Sequence, residues 1–137
     1  MMEINYLAIL VSGIVAMFLG WSWYGPFFGK QWMALSGIAM PPVITPEIKK
    51  GMMRGYIGTL IGSLVTAFVL SNVLMAFDVA AASGALRVAF IVWLGFFVPT
   101  GLGMVFWEGK PWKLYFIHVS YSLVSLGLMS LILTLWK

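Results

Sequence analysis

The sequence contains no cysteine, one histidine and only four acidic residues. The absence of cysteine excludes a disulfide scaffold and thiolate metal sites, and a single histidine excludes multi-histidine metal sites. We therefore expect neither a metal nor another cofactor. Charged residues make up 9% of the 137 residues, whereas a soluble domain carries about 25%. Because so few charges cannot cover a water-exposed surface, we expect the chain to fold in lipid.

The uncharged residues are gathered into four long stretches. These stretches are bounded by Glu3 and Lys30, Arg54 and Asp78, Arg87 and Glu108, and Lys113 and Lys137. About 20 apolar residues in a helix cross a hydrocarbon core of about 30 Å, and each stretch is long enough to do so. The sequence predicts an all-α, four-helix transmembrane bundle in one domain over residues 1–137, with spans at 4–25, 51–77, 84–107 and 113–136 and a short outer hairpin between the second and third spans.

The basic residues predict how the bundle is oriented. Six of the eight basic residues fall in the loops between spans 1 and 2 and between spans 3 and 4: Lys30, Lys49, Lys50, Arg54, Lys110 and Lys113. Because cytoplasmic loops of membrane proteins are enriched in Lys and Arg, these two loops should face the cytoplasm. Both termini should then lie outside the cell membrane. The positive inner face should attract anionic lipid headgroups, and no feature suggests nucleic-acid binding.

Aromatic residues cluster where the spans meet these basic loops. Trp and Tyr side chains settle at the headgroup level of a membrane. The predicted cytoplasmic interface comprises Trp21, Trp23, Tyr24, Lys30, Trp32, Trp107, Lys110, Trp112 and Lys113. The dipeptide Gly25-Pro26 should end or bend the first helix there, and the loop that follows should be partly interfacial.

Small residues predict which helix faces pack together, because they let backbones approach closely in lipid. The first span carries Ala8, Ser12, Ala16 and Gly20 at four-residue steps. The second span carries a comparable small and polar seam, formed by Gly55, Thr59, Gly62, Ser63 and Thr66. We expect both seams to form helix contacts, and the small bundle could also associate as a homodimer.

Polar residues in three spans share a depth near the cytoplasmic interface. The predicted ligand-binding cluster comprises His118, Tyr121, Ser122, Thr100, Thr59 and Ser63. An ionisable residue inside a membrane is a functional hypothesis by default. His118 has no acidic partner in any span, however, so a neutral histidine bonded to a neighbouring hydroxyl is an equally simple interpretation.

No arrangement of residues predicts catalysis. Every Asp and Glu lies outside the spans, and no serine stands in a nucleophile elbow. We therefore predict that the protein is not an enzyme and has no catalytic residues. Two functions remain open: binding or passing a small ligand at the His118 cluster, or acting as a structural or accessory subunit that docks a protein or lipid partner through its Trp-rich basic rim.

Two motifs resemble a known family. They are Trp23-Tyr24-Gly25-Pro26-Phe27-Phe28-Gly29-Lys30 after the first span and Glu108-Gly109-Lys110-Pro111-Trp112-Lys113-Leu114 before the last. The chain is similar over nearly its whole length to domain-of-unknown-function family 1761. This resemblance implies a small, four-span bacterial inner-membrane protein, and it implies no catalytic or ligand-binding residues.

Overall fold

The computed structural model describes residues 4–36, 43 and 45–136. The α-helices of this part of the chain, in order, are α1 (Tyr6–Ser22), α2 (Gly29–Ser36), α3 (Pro46–Ala76), α4 (Ala82–Val92), α5 (Val98–Gly101), α6 (Gly103–Phe106) and α7 (Trp112–Leu135). No β-strand occurs among the described residues. The predicted interfacial loop is described as far as Ser36, and residues 37–42 and 44 lie outside the described ranges.

Two π-helical turns extend α1 and α4. They cover Trp23–Phe27 and Trp93–Phe97, and each lies beside a proline. Pro26 falls inside the first turn, and Pro99 follows the second. Because proline has no N–H and its ring clashes with the carbonyl four residues earlier, an ordinary α-turn is disfavoured at both places. The wider π-turn accommodates the proline: the first span ends one residue after Pro26, at Phe27, and the third span continues past Pro99.

Four of the helical segments are long and apolar enough to cross a membrane. They are Tyr6–Phe27, Pro46–Ala76, Ala82–Phe106 and Trp112–Leu135. The all-α prediction with four spans is confirmed. The residues Thr45 and Pro46 predict a helix that starts ahead of the second span, and α3 does begin at Pro46, where Thr45 Oγ1 accepts a hydrogen bond from Ile48 N at 3.2 Å. With 31 residues, α3 is longer than a bilayer core is thick, at about 1.5 Å per residue.

The last span is the centre of the packing. α7 packs against α1, α3 and α4, and α1 also packs against α3. The predicted seam of the first span is confirmed, because Ala8, Ser12 and Ala16 are buried. In α4, by contrast, Ala85 and Ala89 are the buried residues, so this span contacts the others along a narrow strip.

The predicted seam of the second span is wrong within one copy of the chain. Gly55, Thr59 and Gly62 are exposed. Ser63 and Thr66 are partly buried, and the fully buried residues of α3 lie nearer its end: Ala67, Leu70, Ser71 and Leu74. The physical reason is that the close approach to α1 occurs at Gly13, where an added Cβ would come within 2.6 Å of Leu64 Cδ2. A glycine on α1, facing a leucine on α3, therefore sets this contact.

Candidate functional site

One turn of α7 receives hydrogen bonds from two other spans. The indole of Trp23 donates to Ile117 O at 3.1 Å, and the indole of Trp93 donates to Val119 O at 2.7 Å. Both tryptophans begin a π-helical turn. The carbonyls on either side of His118 are thus bonded from the first and third spans, so the backbone that carries the imidazole is held from two sides.

The imidazole itself is bonded to the first π-helical turn. The hydroxyl of Tyr24 forms a hydrogen bond with His118 Nδ1, and the two rings lie 5.2 Å apart between centroids. His118 is partly buried. A polar pair of this kind, inside a membrane span, satisfies one nitrogen of the imidazole without a charged partner.

Further aromatic rings surround this pair. The Tyr24 ring contacts Tyr121 and Trp32 at centroid distances of 5.5 and 5.3 Å. Tyr121 donates from its hydroxyl to Ala16 O at 2.8 Å. We define the His118 site as Tyr24, Trp32, His118, Tyr121 and Ser122. Its members come from the first span, from α2 and from α7.

The absence of a side chain at Gly20 makes room for Tyr121 in this arrangement. An added Cβ at Gly20 would lie 3.1 Å from the hydroxyl of Tyr121. A larger residue there would push the tyrosine away from the α1 backbone that accepts its hydrogen bond. The small residues of α1 therefore serve the site as well as the helix contact.

The other nitrogen of the imidazole has a different environment. His118 Nε2 forms no hydrogen bond with any residue in the described ranges. The buried side-chain atoms that lack a partner there are the hydroxyl oxygens of Ser12, Ser130 and Thr134. Because Nε2 is not among these fully buried atoms, it keeps some accessible surface.

Three of the six residues predicted to bind a ligand lie together. His118, Tyr121 and Ser122 share the site, and Ser122 Oγ donates to His118 O at 3.1 Å. Thr100 is exposed and donates to carbonyls of its own helix, Phe96 O and, at 3.3 Å, Phe97 O. No hydrogen bond or ring contact joins Thr59 or Ser63 to the site within the described residues. Both lie on α3, whose packed residues are nearer its carboxyl end.

The predicted interface residues divide into two groups. Trp107 is 90% exposed, and Trp21, Lys30, Trp112 and Lys113 are exposed as well. Trp23, Tyr24, Trp32 and Lys110 are partly buried. Trp23, Tyr24 and Trp32 contact other residues of the bundle, as described above. The sequence pattern predicts only that these side chains face the lipid headgroups.

Tyr24 is a site residue that the sequence analysis placed only at the interface. Its position continues the four-residue series Ala8, Ser12, Ala16 and Gly20. A residue at the next step of a packing seam faces the same neighbour helix. This spacing was the signal that could have assigned Tyr24 to the inner face of the first span.

The fold and these contacts define a small helical multi-pass membrane protein, with a hydrogen-bonded aromatic site between its first and last spans. A family model described as protein of unknown function (DUF1761) matches residues 7–134. The chain belongs to this family, and the resemblance stated from its two motifs is confirmed. Neither the curated proteins nor the solved structures gave a match to the chain.

The indole bond to Val119 O gives a prediction about stability. Replacing Trp93 with Phe keeps an aromatic ring and removes the N–H donor, so we expect the free energy of unfolding to fall by about 1 kcal/mol, in the range measured for hydrogen bonds between membrane helices. Unfolding in mixed detergent micelles measures the change. Trp107→Phe is the matched control, because that indole is almost fully exposed, and equal losses in both variants would contradict the prediction.

Proposed function

We propose that the protein binds a small, mostly apolar ligand at the His118 site, within the membrane. The observation that carries this proposal is the contrast between the two imidazole nitrogens. Nδ1 is bonded to Tyr24, while Nε2 has no partner among the described residues and remains accessible. Lipid does not satisfy a polar group, so an accessible nitrogen at this depth favours a bound molecule.

The surroundings of the site favour binding over chemistry. The hydroxyls of Tyr121 and Ser122 already donate hydrogen bonds to backbone carbonyls. No carboxylate occurs in the sequence between Lys113 and Lys137, so α7 offers His118 no acidic partner. We therefore propose a non-catalytic role, in which the ligand is held or passed along the bundle.

A role as an accessory subunit is the second candidate. The observation in its favour is the aromatic rim at the end of span 3, where Trp107, Phe106 and Trp112 are all exposed. Exposed aromatic residues at this level also suit a lipid interface. Trp23 and Trp32 form their contacts inside the bundle, however. Only the other residues of the predicted docking rim are therefore left to contact a partner.

Substitution of His118 tests the binding proposal. His118→Leu keeps an apolar side chain of similar bulk and removes Nε2, so we expect about tenfold less retained ligand, equivalent to about 1.4 kcal/mol. The measurement is native purification followed by mass spectrometry of every lipid and small molecule that remains bound. His118→Gln keeps an N–H donor and should retain more of the same species than His118→Leu.

Trp107→Ala is the control that separates the two candidate functions. An accessory role predicts that this exposed residue matters and that a co-purifying protein is lost with it, while His118→Leu has little effect. A set of retained molecules that is identical in the wild-type protein and in His118→Leu would refute ligand binding at the His118 site.

We further propose a bacterial inner-membrane location, with the basic loops in the cytoplasm and both termini outside. The distribution of Lys and Arg supports this orientation. The chain has no cysteine, so single substitutions report their own accessibility. We expect a membrane-impermeant maleimide to label Ser83→Cys in intact cells and Glu108→Cys only after permeabilisation. The opposite labelling pattern would invert the orientation.

We propose that the partner of the exposed face of α3 is a second copy of the chain. Alternating steps of four and three residues connect the exposed positions Gly51, Gly55, Gly58, Gly62, Val65, Val69 and Asn72. This 3.5-residue average is the spacing of a helix-pair seam. An added Cβ at any of the four glycines would meet nothing within 4 Å, so their small size serves no contact within one chain.

The chemistry of Asn72 favours an identical partner. Its Nδ2 donates to Phe68 O at 2.9 Å, and its Oδ1 accepts no hydrogen bond from the described residues. An amide both donates and accepts, so two copies of Asn72 can bond to each other. Identical chains insert in the same direction, which makes the two α3 helices parallel and brings equal positions together.

Cysteine cross-linking tests this dimer. In membranes, Val65→Cys should form a disulfide-linked dimer, whereas Ile57→Cys should not, because Ile57 is also exposed but lies about 120° around the helix from the seam. Adding Gly58→Leu to Val65→Cys should abolish the cross-link by separating the backbones. Equal cross-linking at positions 57 and 65 would contradict the proposed face.

A further inference from the structure

The hydrogen bond between Tyr24 and His118 fixes the position of the imidazole proton. The Tyr24 hydroxyl forms no other hydrogen bond with the described residues. A hydroxyl needs an acceptor for its proton, and an unprotonated ring nitrogen supplies one. With Tyr24 donating to Nδ1, the neutral imidazole carries its proton on Nε2. The accessible nitrogen is then a hydrogen-bond donor.

Most of the other donors around the site are already used. Trp23 and Ser120 donate to Ile117 O, Trp93 to Val119 O, and Tyr121 to Ala16 O. The indole N–H of Trp32 has no hydrogen-bond partner among the described residues, so a molecule that reaches the site meets two unbonded N–H groups among aromatic rings, on Trp32 and on His118. A bond to either group requires an acceptor atom on the ligand.

The site also selects against charge. The first span has no charged residue between Glu3 and Lys30, and α7 has none after Lys113. On α2, Lys30 is exposed and forms no hydrogen bond with the site residues. A charged ligand would lose its hydration on entering the span and would gain no opposite charge there. The ligand that fits is neutral, with an acceptor oxygen and an apolar remainder.

We infer that the His118 site binds neutral molecules through a carbonyl oxygen that accepts a hydrogen bond from Nε2–H. This inference rests on the proposed function and names the ligand class of the same site. A carbonyl of this kind has two sources in a membrane: the ester groups of phospholipids, and a free ketone dissolved in the bilayer. Both present the same acceptor to the imidazole.

The single histidine allows a direct test. Protein labelled with ¹⁵N at histidine gives the resonances of one imidazole only. The labelled protein is placed in nanodiscs of ether-linked phosphatidylcholine, which has no carbonyl group, and titrated with 2-undecanone, undecane or undecanoate. We expect 2-undecanone to shift the Nε2 resonance saturably and undecane to leave it unchanged. Undecanoate should require roughly tenfold or more higher concentration, because its charge must be desolvated.

The outcomes separate the inference from the function on which it rests. A response to undecanoate or undecane equal to that of the ketone would overturn the carbonyl class while leaving a binding site in place. If none of the three probes shifts the resonance, in ether-linked or in ester-linked nanodiscs, the binding site itself would be refuted. A shift already present in ester-linked nanodiscs, and absent in ether-linked ones, identifies the lipid ester as the source.

Replacing Tyr24 tests the fixed proton. Tyr24→Phe keeps the ring and removes the hydroxyl, so the proton should distribute over both nitrogens and the two ¹⁵N resonances should move towards each other. The ketone response should weaken in parallel. Tyr6→Phe is the matched control, since Tyr6 lies at the exposed start of α1. Unchanged imidazole resonances in Tyr24→Phe would overturn the inference.

Discussion

Lipid offers no hydrogen bonds, and this constraint governs the polar groups of the protein. Within each span the backbone bonds to itself. The small hydroxyls of Ser12, Ser130 and Thr134 are buried without a partner among the described residues, whereas several of the larger polar side chains find partners inside the bundle. Trp23, Trp93 and Tyr121 each do so by donating to a backbone carbonyl of another span. These bonds cross between helices whose remaining contacts are apolar, so they add direction and register to packing that would otherwise be unspecific.

The two π-helical turns connect this constraint to the site. The first turn carries the first span through Pro26 to its end at Phe27, as the dipeptide Gly25-Pro26 predicts, and the second lets the third span continue past Pro99. Each turn begins with the tryptophan that bonds to α7, and the first also supplies Tyr24. The same irregularity therefore positions the indoles on either side of His118 and the hydroxyl that bonds to its ring.

The proposed functions follow from what this network leaves unbonded. Within the described part of the chain, His118 Nε2 is left as an accessible nitrogen, and one face of α3 is left without a neighbour. The first is suited to a small acceptor, and the second to a helix that can approach closely. A protein with both features would bind its ligand near the Trp112 end of α7 in each copy, with the dimer contact on a separate helix.

The four spans, their approximate limits and the helix cap at Thr45 follow from the sequence, because hydropathy and charge act locally and the bilayer fixes the length of each span. The sequence does not determine which helix each face packs against, because lipid accepts any apolar face. The sequence grouped His118, Tyr121 and Ser122 with Thr59 by their depth, but only the tertiary structure paired His118 with Tyr24 and left Thr59 exposed. That pairing depends on a π-helical turn and on the approach of two distant spans, and no local pattern determines either.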